Sequence, residues 1–417
     1  MTAQRARGIR RTALALLAAS ALLSGCGVIP GGTGGSPGPV VVMTWAPVDT
    51  NGTNKPGMLA MAQVYEKYVN ARGGIGGRKL KVLTCNERDD SAAVRDCARQ
   101  ASDAGAVAVV GSYSERGGDF ISALQTLGIP YLGGFGITED EFQSLMSYPV
   151  NGGMPALLAG SGRQLADLCR NVTLVRPDST TGDQYPAFLD AGLKAGGEKA
   201  AKDLPTPDDA TDYTQAAATA VGDDKPSSCV SAVLGDHTPT FFDSLRRTGD
   251  SAPKVRLSSV LGSVEQSVVD ATGGASSPLE NAYVTGWYPV SSDPKWNEMK
   301  AAVTKYAFDD DRIDVADPGE QTTWIAYTVL TKVVQAMGDK AVTPVSLQNA
   351  LDHTTRLSTG GLTPELGWTD ADLKGVPQYA RLVDSKVTYQ VIRDGRLVAA
   401  RPGFIDLGTT LKSTDLS

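Results

Sequence analysis

Residues 107–138 read VAVVGSYSERGGDFISALQTLGIPYLGGFGIT, and this stretch decides the fold. Its first four residues are apolar and mostly β-branched, and Gly111 closes them, which is the pattern of a buried parallel strand. A polar loop follows over 112–118. Phe120, Ile121, Leu124 and Leu127 then recur at helical spacing, and Gly128 stops the helix. Residues 129–132 form the next strand, and Gly133, Gly134, Phe135 and Gly136 the next loop. The result is a β-α-β unit with a loop at each strand's carboxyl end, where open α/β sheets hold ligands. The first loop also opens a helix, whose free N–H groups favour an anion such as a carboxylate.

Working outward, strands are expected over 40–45 and 80–84 and helices over 58–71 and 91–104. Four strands alternating with helices predict a parallel, doubly wound sheet. Residues 73–77, GGIGG, form a turn and not a dinucleotide fingerprint, because the G-x-G-x-x-G spacing is missing and a strand follows. A second run of the same kind starts near residue 155. Its helices are expected over 156–171, 185–195, 213–221 and 241–248, and its strands over 172–175, 229–234, 255–259 and 282–287. Residues 178–183 are a polar loop. Three helices follow over 296–308, 320–337 and 345–351. A β-rich end comes last, with strands over 379–382, 387–393 and 395–400 and a hairpin turn at Asp394-Gly395.

The bulk composition excludes several functions. With 417 residues the chain has room for two or three domains, and its net charge of −7, without a basic block, argues against nucleic acid. Its two histidines, His237 and His353, rule out a histidine-rich metal site. Asp309, Asp310 and Asp311 lack the spacing of a calcium loop and read as a solvated face. No set of Ser, His and Asp or paired carboxylates marks a hydrolase. No metal or cofactor is expected.

The N-terminus carries an export signal. Arg5, Arg7, Arg10 and Arg11 precede a short apolar run over 12–23, too short to span a bilayer comfortably. Leu23-Ser24-Gly25-Cys26 resembles a bacterial lipobox, which implies cleavage before Cys26 and a lipid anchor on it. Removing residues 1–25 takes the formal charge from −7 to −11. Residues 26–39 are rich in Gly, Pro and Ser and read as a flexible tether. Within it, GGSPG at 34–38 matches a nucleophile-elbow pattern without the strand and helix that such an elbow requires. Four further cysteines in an exported chain suggest two disulfides, for which three pairings are possible. Their positions favour Cys85 with Cys97 and Cys169 with Cys229.

Over residues 40 to 400 the chain resembles the type I periplasmic solute-binding proteins of ABC importers, in the branched-chain amino-acid group. The resemblance rests on YVNARGGIGGRKL at 68–80, Asp89-Asp90 before a helix, VVGS at 109–112, LGIPY at 127–131, TGGL at 359–362 and VIRDGRL at 391–397. It implies two doubly wound, Rossmann-like lobes joined by three crossings near 150–154, 286–291 and 357–362. Lobe 1 would hold 40–152 and 291–357, lobe 2 would hold 153–288 and 360–405, and 406–417 would be a C-terminal tail. The lobes would close on a small-molecule ligand like a clamshell. The closed monomer would then dock on an ABC permease and do no chemistry itself. A sensor of the same fold, signalling to a membrane partner, is the alternative.

The resemblance also places the site. A serine hydroxyl for the ligand carboxylate falls on Ser114, with Ser112 and Tyr113 adjacent. Backbone groups fall on Gly134 and Phe135, and a threonine's place falls on Ile137, with Thr138 one residue on. A tyrosine falls near Gly182, three residues before Tyr185. The acid that pairs with a ligand ammonium falls on Leu261, which has no charge; Glu265 stands about one turn later. A buried ammonium needs a counter-charge. The expected ligand is therefore a small polar metabolite, either an amino acid or a less charged compound such as an amide or an aromatic or aliphatic acid. Trp45, Phe135, Trp287 and Tyr288 are candidates to line an apolar pocket.

Overall fold

The computed structural model describes residues 38–207, 210–222, 227–248 and 255–416. The export signal, Cys26 and most of the tether lie outside the described residues. The chain begins with β1 (Val40–Ala46), α1 (Pro56–Asn70), β2 (Leu80–Asn86), α2 (Ser91–Asp103), β3 (Val109–Val110), α3 (Gly117–Leu127), β4 (Tyr131–Leu132), α4 (Asp140–Gln143) and β5 (Ser147–Tyr148). These five strands form an all-parallel sheet in the order β2-β1-β3-β4-β5. α3 forms where the apolar spacing predicts it, and Gly128 ends it in the left-handed conformation, which glycine adopts without a Cβ clash. Phe120, Ile121 and Leu124 pack with Val94, Cys97 and Ala98 of α2 against one face of the sheet.

The second sheet is larger. Its elements are α5 (Gly153–Ala166), β6 (Asn171–Pro177), α6 (Tyr185–Ala195), β7 (Lys202–Thr206), α7 (Thr214–Val221), β8 (Ser228–Ala232), α8 (Thr238–Arg247), β9 (Arg256–Val260), α9 (Gln266–Ala271) and β10 (Tyr283–Gly286). Next come α10 (Asn297–Tyr306), α11 (Pro318–Met337) and α12 (Pro344–Asp352), then β11 (Lys386–Arg393), β12 (Arg396–Ala399), β13 (Ile405–Asp406) and α13 (Gly408–Lys412). The strand order is β12-β11-β10-β9-β8-β6-β7, with β13 pairing β11. Strands β6 to β10 run parallel, while β11 and β12 join antiparallel through the expected Asp394-Gly395 turn. α10 and α11 return to pack on α1, beside the first sheet. The architecture is therefore α/β in two lobes, each a sheet flanked by helices, as expected.

Several local expectations need correction. The helix expected over 156–171 stops at Ala166, because Cys169 is bonded to Cys229 and Asn171 already pairs into β6. Strand β7, KDLPT, escapes a hydrophobicity reading because it is an exposed edge carrying a proline. Residues 379–382 are not a strand. Gln378 takes a positive φ there, and the chain turns back so that Tyr379 lies against Phe142 and Phe188. The expected tail contains α13, which packs on α5 and α6 and fully buries Leu411. Both disulfides form with the expected pairing, Cys85–Cys97 and Cys169–Cys229.

Candidate functional site

Strand order locates the crevice. In the first sheet the order reverses between β1 and β3, and in the second between β6 and β8. At such points successive helices lie on opposite faces, and the loops at the carboxyl ends splay apart. The loops after β1, β3 and β4 face those after β6, β8 and β9. Between them lies an inner cavity of about 50 Å³, and beside it an outer one of about 460 Å³. Every residue lining the inner cavity comes from the loop or helix start after a parallel strand. Ile137, Met154 and Tyr185 line both cavities and form the partition between them.

The structure sorts the expected site residues into three groups. Tyr113, Phe135, Ile137, Tyr185 and Leu261 line the inner cavity, with Tyr113 and Phe135 in ring contact. Ser112, Ser114 and Gly134 serve the loops behind it. The Ser112 Oγ accepts from the Trp45 backbone N–H at 3.0 Å, and the Ser114 Oγ donates to Glu87 Oε2 at 3.1 Å. Gly134 lies against the Glu141 carboxylate and the Tyr131 ring, where a Cβ would collide. Trp45, Trp287 and Tyr288 line neither cavity. Trp45 is core, stacked on Tyr131 and edge-on to Phe120. Trp287 supports Phe135 from behind and donates to the Gly153 carbonyl at 2.9 Å. Tyr288 sits at a crossing, its hydroxyl bonded to Asn151 at 3.1 Å and Thr322 at 2.8 Å.

The helix N-terminus expected to attract a ligand carboxylate has a carboxylate of the protein beside it, with no side-chain cap hydrogen bond. The Asp140 Oδ2 lies 2.7 Å from where a Cβ on Gly117 would stand, at the first turn of α3. Glu87, fully buried, takes the hydroxyl of Ser114. Burial raises the Glu87 carboxyl to about 7, against the opposing bonds from Ser114 and the Asp89 backbone. A carboxylate of the protein thus takes the Ser114 hydroxyl expected for the ligand, and another stands beside the first turn of α3.

Sequence reasoning missed Lys55, Asp236, Asp317 and Glu320, because the segments that carry them lie far apart in the chain and are brought together only by the tertiary fold. Lys55 lies 3.3 Å from Asp317, the N-cap of α11, and 3.8 Å from Asp236, which follows β8. Burial opposes the Lys55 charge, but Asp317, Asp236 and Glu265 outweigh it and hold the ammonium well above the ordinary lysine range. Glu265 is raised to about 8 by burial and by Asp317, with Lys55 opposing. Its Oε2 is buried without a hydrogen bond. A proline just inside a helix, as at Asp317-Pro318, was the one sequence signal pointing here.

A family model described as "Periplasmic binding protein" matches residues 50–384. The chain belongs to the periplasmic binding protein family. Its fold is that of the type I members. A substrate-binding periplasmic protein from Ralstonia solanacearum superposes with a TM-score of 0.70 at 14% identity, covering 86% of this chain and 99% of that one. A leucine-binding protein from Thermotoga maritima gives 0.66 at 11% identity, with 88% and 99% covered. A solute-binding protein of an ABC transporter from Rhodopseudomonas palustris, solved with p-hydroxybenzoic acid, gives 0.70 at 14% identity, with 88% and 97% covered. No curated protein sequence matches the chain. Among the described residues, no helix is long and apolar enough to cross a membrane, and no cluster of His, Cys, Asp or Glu could hold a metal.

Proposed function

We propose that this family member is an extracytoplasmic, lipid-anchored solute-binding protein. It captures a small polar metabolite between its lobes and delivers it to an ABC permease, without chemistry of its own. The observation that carries this reading is the cleft: loops from the carboxyl ends of two doubly wound sheets converge on one interlobe cavity. A cavity of about 50 Å³ is far below the ~300 Å³ of a usual ligand site. Capture therefore requires the lobes to separate and reclose. The hinge would lie at the crossings near 150–154, 286–291 and 357–362, with lobe 1 over 40–152 and 291–357 and lobe 2 over 153–288 and 360–405. The Asn151–Tyr288–Thr322 hydrogen bonds join two of those crossings to α11.

The test is a thermal-shift screen with amino acids, amides, amines, carboxylic acids, sugars and nucleosides, followed by small-angle scattering with any hit. A ligand at 100 times its Kd stabilises by about 2.7 kcal/mol. The expected result is one class of hit that raises the melting temperature and shrinks the radius of gyration. A protein that no class stabilises is not a solute-capturing receptor. Anchoring is tested separately: Cys26→Ser should move the exported protein from the membrane fraction to the soluble one.

A further inference from the structure

The outer cavity carries information about the ligand's charge, and this inference rests on the solute-binding reading above. At about 460 Å³ it has the size of a small-molecule site. Glu115, Glu139 and Asp140 line it, and none of them has a salt bridge among the described residues. A fourth acid, Asp119, is paired with Arg95. The one cation lining the cavity among the described residues, Arg116, is bound to Asp89 at 3.0 Å.

Aromatic rings complete the wall. Phe188 and Tyr379 meet edge to face, and Tyr185 stands at the partition to the inner cavity. Tyr185 is only 7% exposed, yet its hydroxyl has no hydrogen-bond partner among the described residues. A hydroxyl on a nearly buried ring, without a protein partner and at a cavity wall, is one that a ligand would satisfy. A ligand carboxylate would find no free cation here: Arg116 is taken by Asp89, the Asp140 carboxylate stands beside the first turn of α3, and Glu87 takes the Ser114 hydroxyl. An ammonium would find carboxylates without cations and the negative faces of aromatic rings.

We propose that the ligand is a cation, an amine on an apolar or aromatic body, with its ammonium among Glu115, Glu139 and Asp140 and its body against Tyr185, Phe188 and Tyr379. This class differs from the aromatic acid in the Rhodopseudomonas structure. The shared fold does not set the ligand, because the charges lining the cleft belong to each sequence separately.

The experiment divides a bacterial metabolite extract by ion exchange into cationic, anionic and uncharged pools. Tyramine, 4-hydroxyphenylacetate and 4-ethylphenol serve as defined probes of each class. Thermal shift is read on the wild type and on Asp140→Asn, Glu115→Gln and Tyr185→Phe. The cationic pool should raise the melting temperature of the wild type, and its apparent affinity should fall about ten-fold in each charge variant and about three-fold in Tyr185→Phe. Should Glu115→Gln not fold, Asp140→Asn at the rim carries the charge test. Stabilisation by the anionic or uncharged pool alone overturns the charge class and leaves solute binding standing. A cationic response equal in the wild type and the charge variants overturns the proposed seat. If no pool acts, solute capture itself fails, and this proposal with it.

Discussion

Glu141 and Glu320 are each 3% exposed, in two regions that both border the cleft, yet their surroundings differ. Glu141 stands under the loop after β4. Its carboxylate accepts from the backbone N–H groups of Gly136, Ile137 and Thr138 at 3.0–3.2 Å, and from the Thr138 hydroxyl at 3.1 Å. Glu320 stands in the first turn of α11. One of its oxygens accepts from the Asp314 backbone N–H at 3.0 Å, and the other has no partner. Burial raises both carboxyls, but the cage of donors limits Glu141 to about 7, whereas Asp317 and Asp314 help drive Glu320 to about 10. Equal burial thus yields a carboxylate that organises a loop in one region and a neutral acid in the other. What separates them is the supply of N–H donors against the number of nearby acids.

The sharpest way to break this comparison is Glu141→Ala. Three backbone donors would be left without their acceptor, at a cost of about 4 kcal/mol in urea unfolding. A loss below about 1 kcal/mol would show that the cage does not hold the loop. Next in size is Lys55→Met, which strands Asp236 and Asp317 without their cation. The expected loss is about 3 kcal/mol, with a larger radius of gyration because one of the two ion pairs crosses the cleft. An unchanged radius would remove Lys55 from the interlobe contact.

The smallest effect is expected of Glu320→Gln near pH 5, within about 1 kcal/mol, since the amide mimics the neutral acid and the unfolded chain has lost little of its proton there. The pH dependence then distinguishes the two glutamates. A carboxyl raised on folding is protonated in the native state when the unfolded chain has already lost the proton. Its contribution is present below the ordinary carboxylate range and is lost as pH rises, through about 7 for Glu141, about 8 for Glu265 and about 10 for Glu320. Urea midpoints should therefore fall steadily from about pH 5 to pH 9. Glu320→Gln should flatten that fall and stabilise the protein at pH 9. A midpoint that instead rises over this interval would show that these acids are ionised in the native state.

The stretch at 107–138 made the first lobe legible because its two apolar strands, helical spacing and stopping glycine are local signals. The α3 helix and the Gly128 cap sit where those residues place them. The strands around it are shorter than their apolar runs. Val107 and Ala108 are buried and bond to β1 without a full ladder to β4, so burial extends further than pairing. Tyr113, Phe135, Ile137, Tyr185 and Leu261 were within reach of sequence reasoning because each follows a strand that the pattern reveals. Trp287 and Tyr288 misled for the opposite reason: a large aromatic at a crossing has the same sequence pattern as one in a pocket.

By itself, the sequence determined the α/β class, the two repeated runs of strand and helix, and the loops from which a ligand site could be built, while it only favoured one of three disulfide pairings. All of these depend on residues near one another in the chain, or on positions read from strand ends. Only the tertiary structure decided which charges those loops share. Lys55 and Asp236 are 181 positions apart in the numbering and meet because two sheets face each other across a cleft. Glu87 and Ser114, like Asp140 and Gly117, meet because parallel strands of one sheet deliver their loops to the same edge. Electrostatic energy depends on distance and burial, and neither is a property of sequence separation.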